Sequence, residues 1–545
     1  MTRLFPKSLL VLFLSISFLF MGCGATVLVS TPIENVDSTP LKISDLTDAQ
    51  KKNWGHLDLV ADTIPGMSVD KAYQEIIKNK KGDKVIVAVL DSGIDLKHED
   101  LDGVLWTNKG EKPGNQKDDD NNGYIDDIHG YNFLGDSYNE QLEAARILKL
   151  RLGDAAIQAK AKALIDKKYA EAQQQKQQYQ QIQQAVKNAD TAVKKELGKD
   201  SYTKKDLAGI KPKDAAMQQH VGILTQILSG EESVDEVLVQ MDKGIAHFSD
   251  QVDYNYNVDF DGRNKVGDDP YDLKDLGYGD GNPQSRADGE DHGTHVAGII
   301  AAERNNGKGA NGVANNVEIM SIRAVPNGDE YDKDIALGIR YAVDNGAKII
   351  NGSFGKAFSP NAAWVYDAIR YAADNDVLFV HAAGNEGLDL DNPDNLNYPN
   401  DNKDSSTEIA DNVIEVGALT PNYGSEMVAA FSNYGNNNVD IFAPGGEIYS
   451  SVPGNEYEFN GGTSMAAPAV AGVAALIRSY YPKLTAPQVK HIIMESGLAP
   501  KAKVILGGDT AQTATLNQIS KSGKIANAYN ALIMASKVAA GEITL

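Results

Sequence analysis

The sequence predicts an α/β protein with three layers, in which a parallel sheet is flanked by helices and interrupted by a long helical insertion. A continuous apolar run at 85–90, bounded by polar residues, is typical of a strand buried on both faces of such a sheet. After residue 292, predicted strands and helices alternate, as in folds built from strand–helix–strand units. Residues 139–246 are rich in Gln, Lys, Ala and Glu, and proline is absent from 114 to 211, which predicts helix.

The predicted elements follow from these patterns in chain order. Strands after the first are expected at 317–325, 347–352, 377–383, 413–419 and 439–443. Helices are expected at 299–303, 335–344, 364–374, 485–496 and 525–540. A run of small residues at 465–479 predicts one more helix.

Residues 1–23 look like an export signal and are set apart from the fold. A basic start with Arg3 and Lys7 precedes an apolar core at 9–21, and Cys23, the only cysteine in the chain, follows at once. This position resembles the bacterial lipobox, which predicts a lipoprotein held to a bacterial membrane on its periplasmic or cell-surface side. The alternative is an ordinary secretory signal or an uncleaved anchor with an incidental cysteine; without lipidation of Cys23 a secreted protein is expected.

Composition limits the classes of partner. A hydrophobic content of 42% is ample for a large core. The formal net charge of −23 argues against a nucleic-acid partner, because phosphate binding requires clustered Lys and Arg. Excess acid fits a soluble surface or the binding of cations instead.

A serine follows a Gly-Gly-Thr turn at the start of the small-residue helix. That position exposes the hydroxyl of Ser464 and aims the free N–H groups of a helix start at whatever the hydroxyl attacks. Asp91 ends the first predicted strand, where ligand chemistry in α/β sheets collects. His292 begins the segment His-Gly-Thr-His. An imidazole can take the proton of a serine, and a carboxylate can fix the imidazole tautomer.

These three segments resemble the subtilisin-like serine proteases (subtilases), whose triad has the same chain order of Asp, His and Ser. A fourth segment, Ala-Ala-Gly-Asn-Glu-Gly at 382–387, resembles the one whose asparagine amide donates to the oxyanion. The resemblance implies a subtilisin-like fold with Asp91, His292 and Ser464 as catalytic triad. It also implies an oxyanion hole formed by Asn385 and the N–H of Ser464.

The implied reaction is hydrolysis of peptide bonds through an acyl-enzyme, with polypeptides as substrates. By resemblance His292 is the base, while His295, three residues later on the same helical face, is expected to support it or to pack. Two alternatives stay open. One is a lipid-anchored pseudoprotease or binding scaffold with an occluded site, and the other is an esterase or peptide ligase that uses the same acyl-enzyme.

The segment Asn-Gly-Ser-Phe-Gly at 351–355 resembles the subtilase segment that pairs with an extended peptide backbone as an added strand. The resemblance implies substrate contacts from two places in the chain. The residues concerned are Ser353, Phe354, Gly355, Ala383 and Gly384.

An acidic stretch after the first strand spaces oxygen ligands at Asp118, Asp120, Asn122 and Asp126. This spacing resembles the front of an EF-hand-type loop and predicts a structural calcium site. The closing glutamate is missing, since His129 stands at position twelve, so a ligand from elsewhere or water has to complete the shell. The alternative is an acidic, solvated turn.

Between Asp91 and His292 the chain is far longer than the usual subtilase spacing, which indicates an insertion at 139–249. The main domain then consists of 81–138 and 250–545. A narrow apolar stripe predicts a helical hairpin or bundle that packs on itself. The functional alternatives are a lid or exosite that limits substrates, and a docking arm for a protein partner.

Residues 24–80 precede this domain as an N-terminal arm. Scattered apolar residues and a predicted helix near 69–77 favour an arm packed on the main domain. A folded propeptide, which many subtilases carry at this place, is the alternative, although the arm is short for one.

Overall fold

The computed structural model describes residues 30–230, 233–286, 289–402 and 407–545, so the predicted export signal and Cys23 lie outside the described residues. The strands are β1 (Val85–Asp91), β2 (Gly130–Asn132), β3 (Val317–Arg323), β4 (Ile349–Gly352), β5 (Leu378–Ala382), β6 (Val413–Leu419), β7 (Ile441–Pro444), β8 (Ile448–Val452), β9 (Glu456–Asn460), β10 (Lys503–Leu506) and β11 (Asp509–Thr515). The helices are α1 (Asp48–Asn53), α2 (Leu59–Asp62), α3 (Val69–Ala72), α4 (Glu143–Leu150), α5 (Ala155–Leu197), α6 (Lys204–Ala208), α7 (Ala215–Ser229), α8 (Val234–Asp250), α9 (His292–Ala301), α10 (Asp332–Asp344), α11 (Ala362–Asp374), α12 (Thr463–Tyr480), α13 (Ala486–Ser496), α14 (Leu516–Ile519) and α15 (Ala528–Ala539).

A seven-stranded parallel sheet forms the centre of the molecule, in the order β2-β3-β1-β4-β5-β6-β7. Alternate residues of β1 enter two different cores, Val87 and Val89 on one face and Ala88 and Leu90 on the other. A strand that is covered on both faces has an uninterrupted apolar sequence, which explains the run at 85–90.

Helices cover both faces of the sheet. One core contains side chains of α9, α12, α13 and α15, and the other contains side chains of α10 and α11. The predicted three-layer arrangement with a flanked parallel sheet is therefore confirmed. Since all strands of the sheet run the same way, their carboxyl ends meet at one edge, and Asp91 lies there.

Some elements differ from the sequence prediction. The helix after the histidine motif begins at His292 itself, earlier than the apolar stretch from 299 indicated. Strand β2 has three residues, too few for a periodic signal. The antiparallel hairpins β8–β9 and β10–β11 were not predicted, because β9 and β11 are largely exposed and lack a buried apolar face.

The described part of the N-terminal arm packs on the main domain. Trp54 is 1% exposed, and its indole N–H donates to the carbonyl of Gly446 at 3.0 Å. Leu59 and Ile64 are fully buried in the same cluster as Trp54. Nearer the end of the arm, Val69 joins the core beneath the sheet. These contacts hold the described part of the arm on the main domain.

The insertion consists of α4 to α8, with one 43-residue helix, α5, along its length. Two separate clusters hold it together. Near the main domain, Ala161 and Ile165 of α5 pack with residues of α4, and at the far end Val186 and Val193 pack with α6 and α7. Within the described residues, none of the helices combines the length and apolar character that crossing a membrane requires.

Candidate active site

Asp91 and His292 meet at the carboxyl end of β1. The carboxylate of Asp91 is 1% exposed, and Nδ1 of His292 donates to its Oδ1 at 2.8 Å. Because a carboxylate can only accept, the ring proton lies on Nδ1 and Nε2 is left as an acceptor. The backbone N–H of Ser92 donates to the same Oδ1 at 2.7 Å, which fixes the orientation of the carboxylate.

The surroundings favour the protonated form of His292. Burial alone lowers the pKa of the imidazole, but the charge of Asp91 and its hydrogen bond outweigh burial, so the pKa is raised above its ordinary value near 6.5. The side chain is still 35% exposed. An imidazolium that forms here during a proton transfer is therefore stabilised.

His295 has the opposite character. It is fully buried, and its Nε2 lies 3.1 Å from the carbonyl of Ile448 and 3.2 Å from that of Glu458. Burial lowers its pKa to about 4, so the ring is neutral near pH 7. These contacts tie α9 to the β8–β9 hairpin, as expected of a packing histidine.

Ser464 is the second residue of α12 and is partly exposed. Its hydroxyl donates to the carbonyl of Ser353 at 3.3 Å, and the described structure has no hydrogen bond between Ser464 and His292. The hydroxyl of Ser353 in turn donates to the carbonyl of Ser464 at 2.8 Å. Ser464 therefore lies against the end of β4, with its N–H in the first turn of a helix, where backbone donors lack partners within the helix.

Asn385 lies beside the start of the same helix. Its Oδ1 accepts from the N–H of Thr463 at 2.8 Å and from the Thr463 hydroxyl at 3.0 Å. Because the N–H can only donate, the amide oxygen must face Thr463, and the amide nitrogen points away. A methyl group added at Gly462 would lie 3.4 Å from Nδ2 of Asn385 and 3.6 Å from the N–H of Ser464. Two N–H donors thus lie on the same side of the turn.

A cleft of about 310 Å³ opens beside His292. One side is formed by residues 325–328, which follow β3, and another by 353–355, which follow β4. The structure therefore brings Ser353, Phe354 and Gly355 to a groove that contains the histidine of the motif. The Phe354 ring is mostly buried and meets the His381 ring edge-on at 5.8 Å.

Ala383 and Gly384 follow β5, next to Asn397. The amide of Asn397 donates to the carbonyl of Ala383 at 3.1 Å, and a methyl group at Gly355 would lie 2.7 Å from its Oδ1. Asn397 thus fills the space between the two predicted substrate segments. Gly384 has a φ of +98° and has no room for a side chain next to Glu386.

The acidic loop brings together three carboxylates, which are not the set of ligands predicted from the sequence. Carboxylate oxygens of Glu111, Asp120 and Asp127 all lie within 4.8 Å of one another. Asp118 and Asp126 instead accept hydrogen bonds from backbone N–H groups of their own loop, at 2.8 to 3.2 Å. Asn122 places its amide nitrogen 3.1 Å from Asp127. Of the four predicted ligands, only Asp120 belongs to the carboxylate cluster.

Sequence reasoning missed several residues of these sites. Thr463 stands next to Ser464, and its hydroxyl, which donates to Asn385, is a local signal that could have found it. Ser92 acts on Asp91 through its backbone N–H, which no residue type signals. Asn397, Glu111 and Asp127 carry no motif. Glu111 and Asp127 belong to the same connection between β1 and β2 as Asp120, and the folding of this connection brings them together.

Comparison with known proteins gives consistent matches. A model of the subtilase family matches residues 82–520. A thermophilic serine proteinase of Bacillus sp. (strain AK1) is 40% identical over 240 residues, or 43% of this chain and 52% of that protein. Subtilisin DY of Bacillus licheniformis is 39% identical over 205 residues, or 37% of this chain and 69% of the length of Subtilisin DY. A cold adapted subtilisin-like serine proteinase of known crystal structure is 29% identical in sequence. The two structures align with a TM-score of 0.35, and the alignment covers 45% of this chain and 77% of that chain.

The match to the thermophilic proteinase spans about half of that protein's length (52%). The family match is more extensive, since its bounds lie just before β1 and just after α14. It includes the parallel sheet, the Asp91–His292 pair and Ser464. The chain belongs to the subtilase family.

Proposed function

We propose that the protein is a serine endopeptidase that hydrolyses peptide bonds through an acyl-enzyme. The hydrogen-bonded pair of Asp91 and His292 is the observation that carries this proposal, because it leaves Nε2 of the imidazole as an acceptor beside a cleft. An accepting imidazole with a raised pKa is what a general base for a hydroxyl requires.

Each step of the proposed reaction uses a group of this chain. Nε2 of His292 takes the proton of Ser464 as the hydroxyl attacks the carbonyl carbon, and Asp91 stabilises the imidazolium. The amide of Asn385 and the N–H of Ser464 donate to the oxyanion. Then His292 returns the proton to the leaving amine. Water attacks the acyl-enzyme with His292 as base, which releases the carboxylic acid and regenerates the Ser464 hydroxyl. Before Ser464 attacks, its hydroxyl has to leave the Ser353 carbonyl, to which it donates at 3.3 Å, and turn towards His292.

A peptide library separates this proposal from its alternatives. Purified protein is incubated with the library, and products are identified by mass spectrometry. New amino and carboxyl termini in equal number are expected for hydrolysis. Ligated products would indicate a peptide ligase, and an unchanged library together with an unlabelled Ser464 after fluorophosphonate treatment would indicate a pseudoprotease.

We infer that the cluster of Glu111, Asp120 and Asp127 is the place where calcium stabilises this subtilase. Three carboxylates suit a hard cation that prefers oxygen ligands. Burial raises the pKa of Asp127 to about 6, although Tyr341, Asn122 and Asn108 donate hydrogen bonds to it. A bound cation would compensate the charge of this buried carboxylate and would link the loop to the main domain.

Calcium is expected to raise the melting temperature of the protein, and a chelator to lower it. At a hundredfold excess over Kd, a single site contributes about 2.7 kcal/mol. Asp127→Asn should abolish the calcium-dependent shift, whereas Asp118→Asn, which keeps the carboxylate cluster intact, should retain it. The reverse pattern would favour the contiguous loop as the site, and a wild-type protein indifferent to both calcium and chelator would contradict a calcium site.

A further inference from the structure

The insertion is fixed to the main domain at its base by buried charges. Arg146 of α4 donates to Glu143 at 2.6 Å, and Lys356 donates to the same carboxylate at 3.0 Å. The guanidinium of Arg146 also donates to the carbonyls of Asp329 and Glu330. All three charged side chains are about 2% exposed. Because removing one partner of a buried ion pair is strongly destabilising, detaching this base is expected to be costly.

Both ends of the insertion converge on one residue of the proposed substrate cleft. The amide nitrogen of Asn327 donates to Asn139, where the insertion begins, and to Asp250, where α8 ends, each at 2.9 Å. Asn327 lines the cleft together with His292. The insertion therefore starts and ends at the rim of the cleft.

Helix α8 extends from this rim towards the strand that precedes the serine turn. Lys243 lies seven residues before Asp250, a distance of about 10 Å along a helix. Its Nζ is 3.6 Å from Oε1 of Glu458 in β9. The last two turns of α8 thus connect the loop beside His292 with the strand that leads to Ser464.

Helix α5 holds α8 in this position and contacts another part of the rim. Tyr179 packs over Gly244, where an added methyl group would lie 2.4 Å from the ring. Near the first residue of α5, Nζ of Lys160 lies 3.3 Å from Oδ1 of Asp394. Asp394 belongs to the loop that carries Asn397, between the two predicted substrate segments.

The two ion pairs between these helices and the rim are weaker than the buried ion pairs of the base. The side chains of Lys243 and Glu458 are 62% and 48% exposed, and those of Lys160 and Asp394 are 58% and 81% exposed. Exposed ion pairs contribute about 0–1 kcal/mol each and are screened by salt. Helices α5 and α8 are therefore held against the rim by exposed ion pairs that can break while the buried base stays attached.

We propose that α5 and α8 form a roof over the cleft which restricts the substrates of this subtilase to extended, flexible polypeptide segments. The inference rests on the proposed peptidase function and specifies its substrate class. A substrate that pairs with residues 353–355 must lie in the cleft as a strand. The space beneath such a roof admits a chain terminus, an unfolded chain or a long loop. A short loop cannot enter, because the folded protein that carries it would collide with α8.

The test presents one cleavable sequence in three settings: as a free peptide, in a long loop of a folded carrier protein, and in a short loop of the same carrier. The full chain is expected to cleave the first two and to discriminate against the third. Lys243→Glu should raise kcat/KM for the short loop by up to about fivefold relative to the free peptide. Glu458→Lys should do the same, and the double variant should restore discrimination. Lys195→Glu, an exposed charge reversal at the far end of α5, should leave the ratio unchanged.

A second measurement does not depend on activity. Carbodiimide joins lysine and carboxylate groups in direct contact, so peptide mass spectrometry of the treated wild-type protein should find a cross-link between residues 243 and 458. A missing cross-link, or single variants that keep the wild-type ratio, would overturn the roof. Failure of the wild-type protein to cleave even the free peptide would overturn the peptidase function and the restriction together, whereas cleavage with an unchanged ratio would overturn the restriction alone.

Discussion

Ser464→Ala is expected to lower kcat for a cleavable peptide by about 10⁶-fold, the loss known for the nucleophile of such a triad. Without the hydroxyl no acyl-enzyme can form, and only binding and the oxyanion donors can still accelerate attack by water. Labelling by a fluorophosphonate should disappear as well. Steady-state kinetics and intact-protein mass spectrometry measure the two effects.

Ser479→Ala provides a matched control on the same helix. Its hydroxyl donates to the carbonyl of Asp83 at 2.8 Å, at the opposite end of α12 from Ser464. This variant should keep labelling and kcat, even where it costs some stability. Equal labelling of wild-type protein and Ser464→Ala would contradict the assignment of the nucleophile.

Much of the fold could be predicted because its core leaves a direct trace in the sequence. Strands covered on both faces are mostly apolar runs: β1 is apolar up to Asp91, and β5 and β6 are interrupted only by His381 and by Glu415 and a glycine. The hairpin strands β9 and β11 left no such trace, since most of their side chains face solvent. Their positions are fixed by tertiary contacts, such as the carbonyl of Glu458 accepting from His295.

The candidate site also contains residues that could be predicted from the sequence and residues that could not. Asp91, His292 and Ser464 could be proposed from the sequence because their segments, each at the start or end of an element, resemble those of the subtilase triad. The carboxylate cluster could not be predicted in full. Glu111 lies outside the acidic stretch, and Asp127 joins the cluster because Tyr341, from the distant helix α10, donates to it at 2.6 Å. The roof depends on contacts such as that of Lys243 with Glu458, between residues far apart in the chain.

Asp91→Asn is expected to lower kcat by about 10⁴-fold near neutral pH, the magnitude known for triads whose aspartate becomes asparagine. Oδ1 of Asp91 accepts both from Ser92 and from His292. If the amide oxygen of the asparagine takes the place of Oδ1, its NH₂ group is buried in the place of Oδ2, which has no hydrogen-bond partner among the described residues. If the amide nitrogen takes the place of Oδ1 instead, it faces the N–H donor of Ser92. It can then only donate to Nδ1 of His292, so the ring proton moves to Nε2, which cannot act as a base.

The pH profile separates this role from a merely structural one. His292 must be neutral to accept a proton, and its pKa in the wild-type protein is raised by the charge and hydrogen bond of Asp91 against the effect of burial. The acid limb of kcat/KM should therefore have its midpoint above 6.5 in the wild-type protein. In Asp91→Asn the charge is gone and burial remains, so the midpoint should move to lower pH. A variant that loses activity through distortion alone would keep the wild-type midpoint, and that result would contradict an electrostatic role of Asp91 at His292.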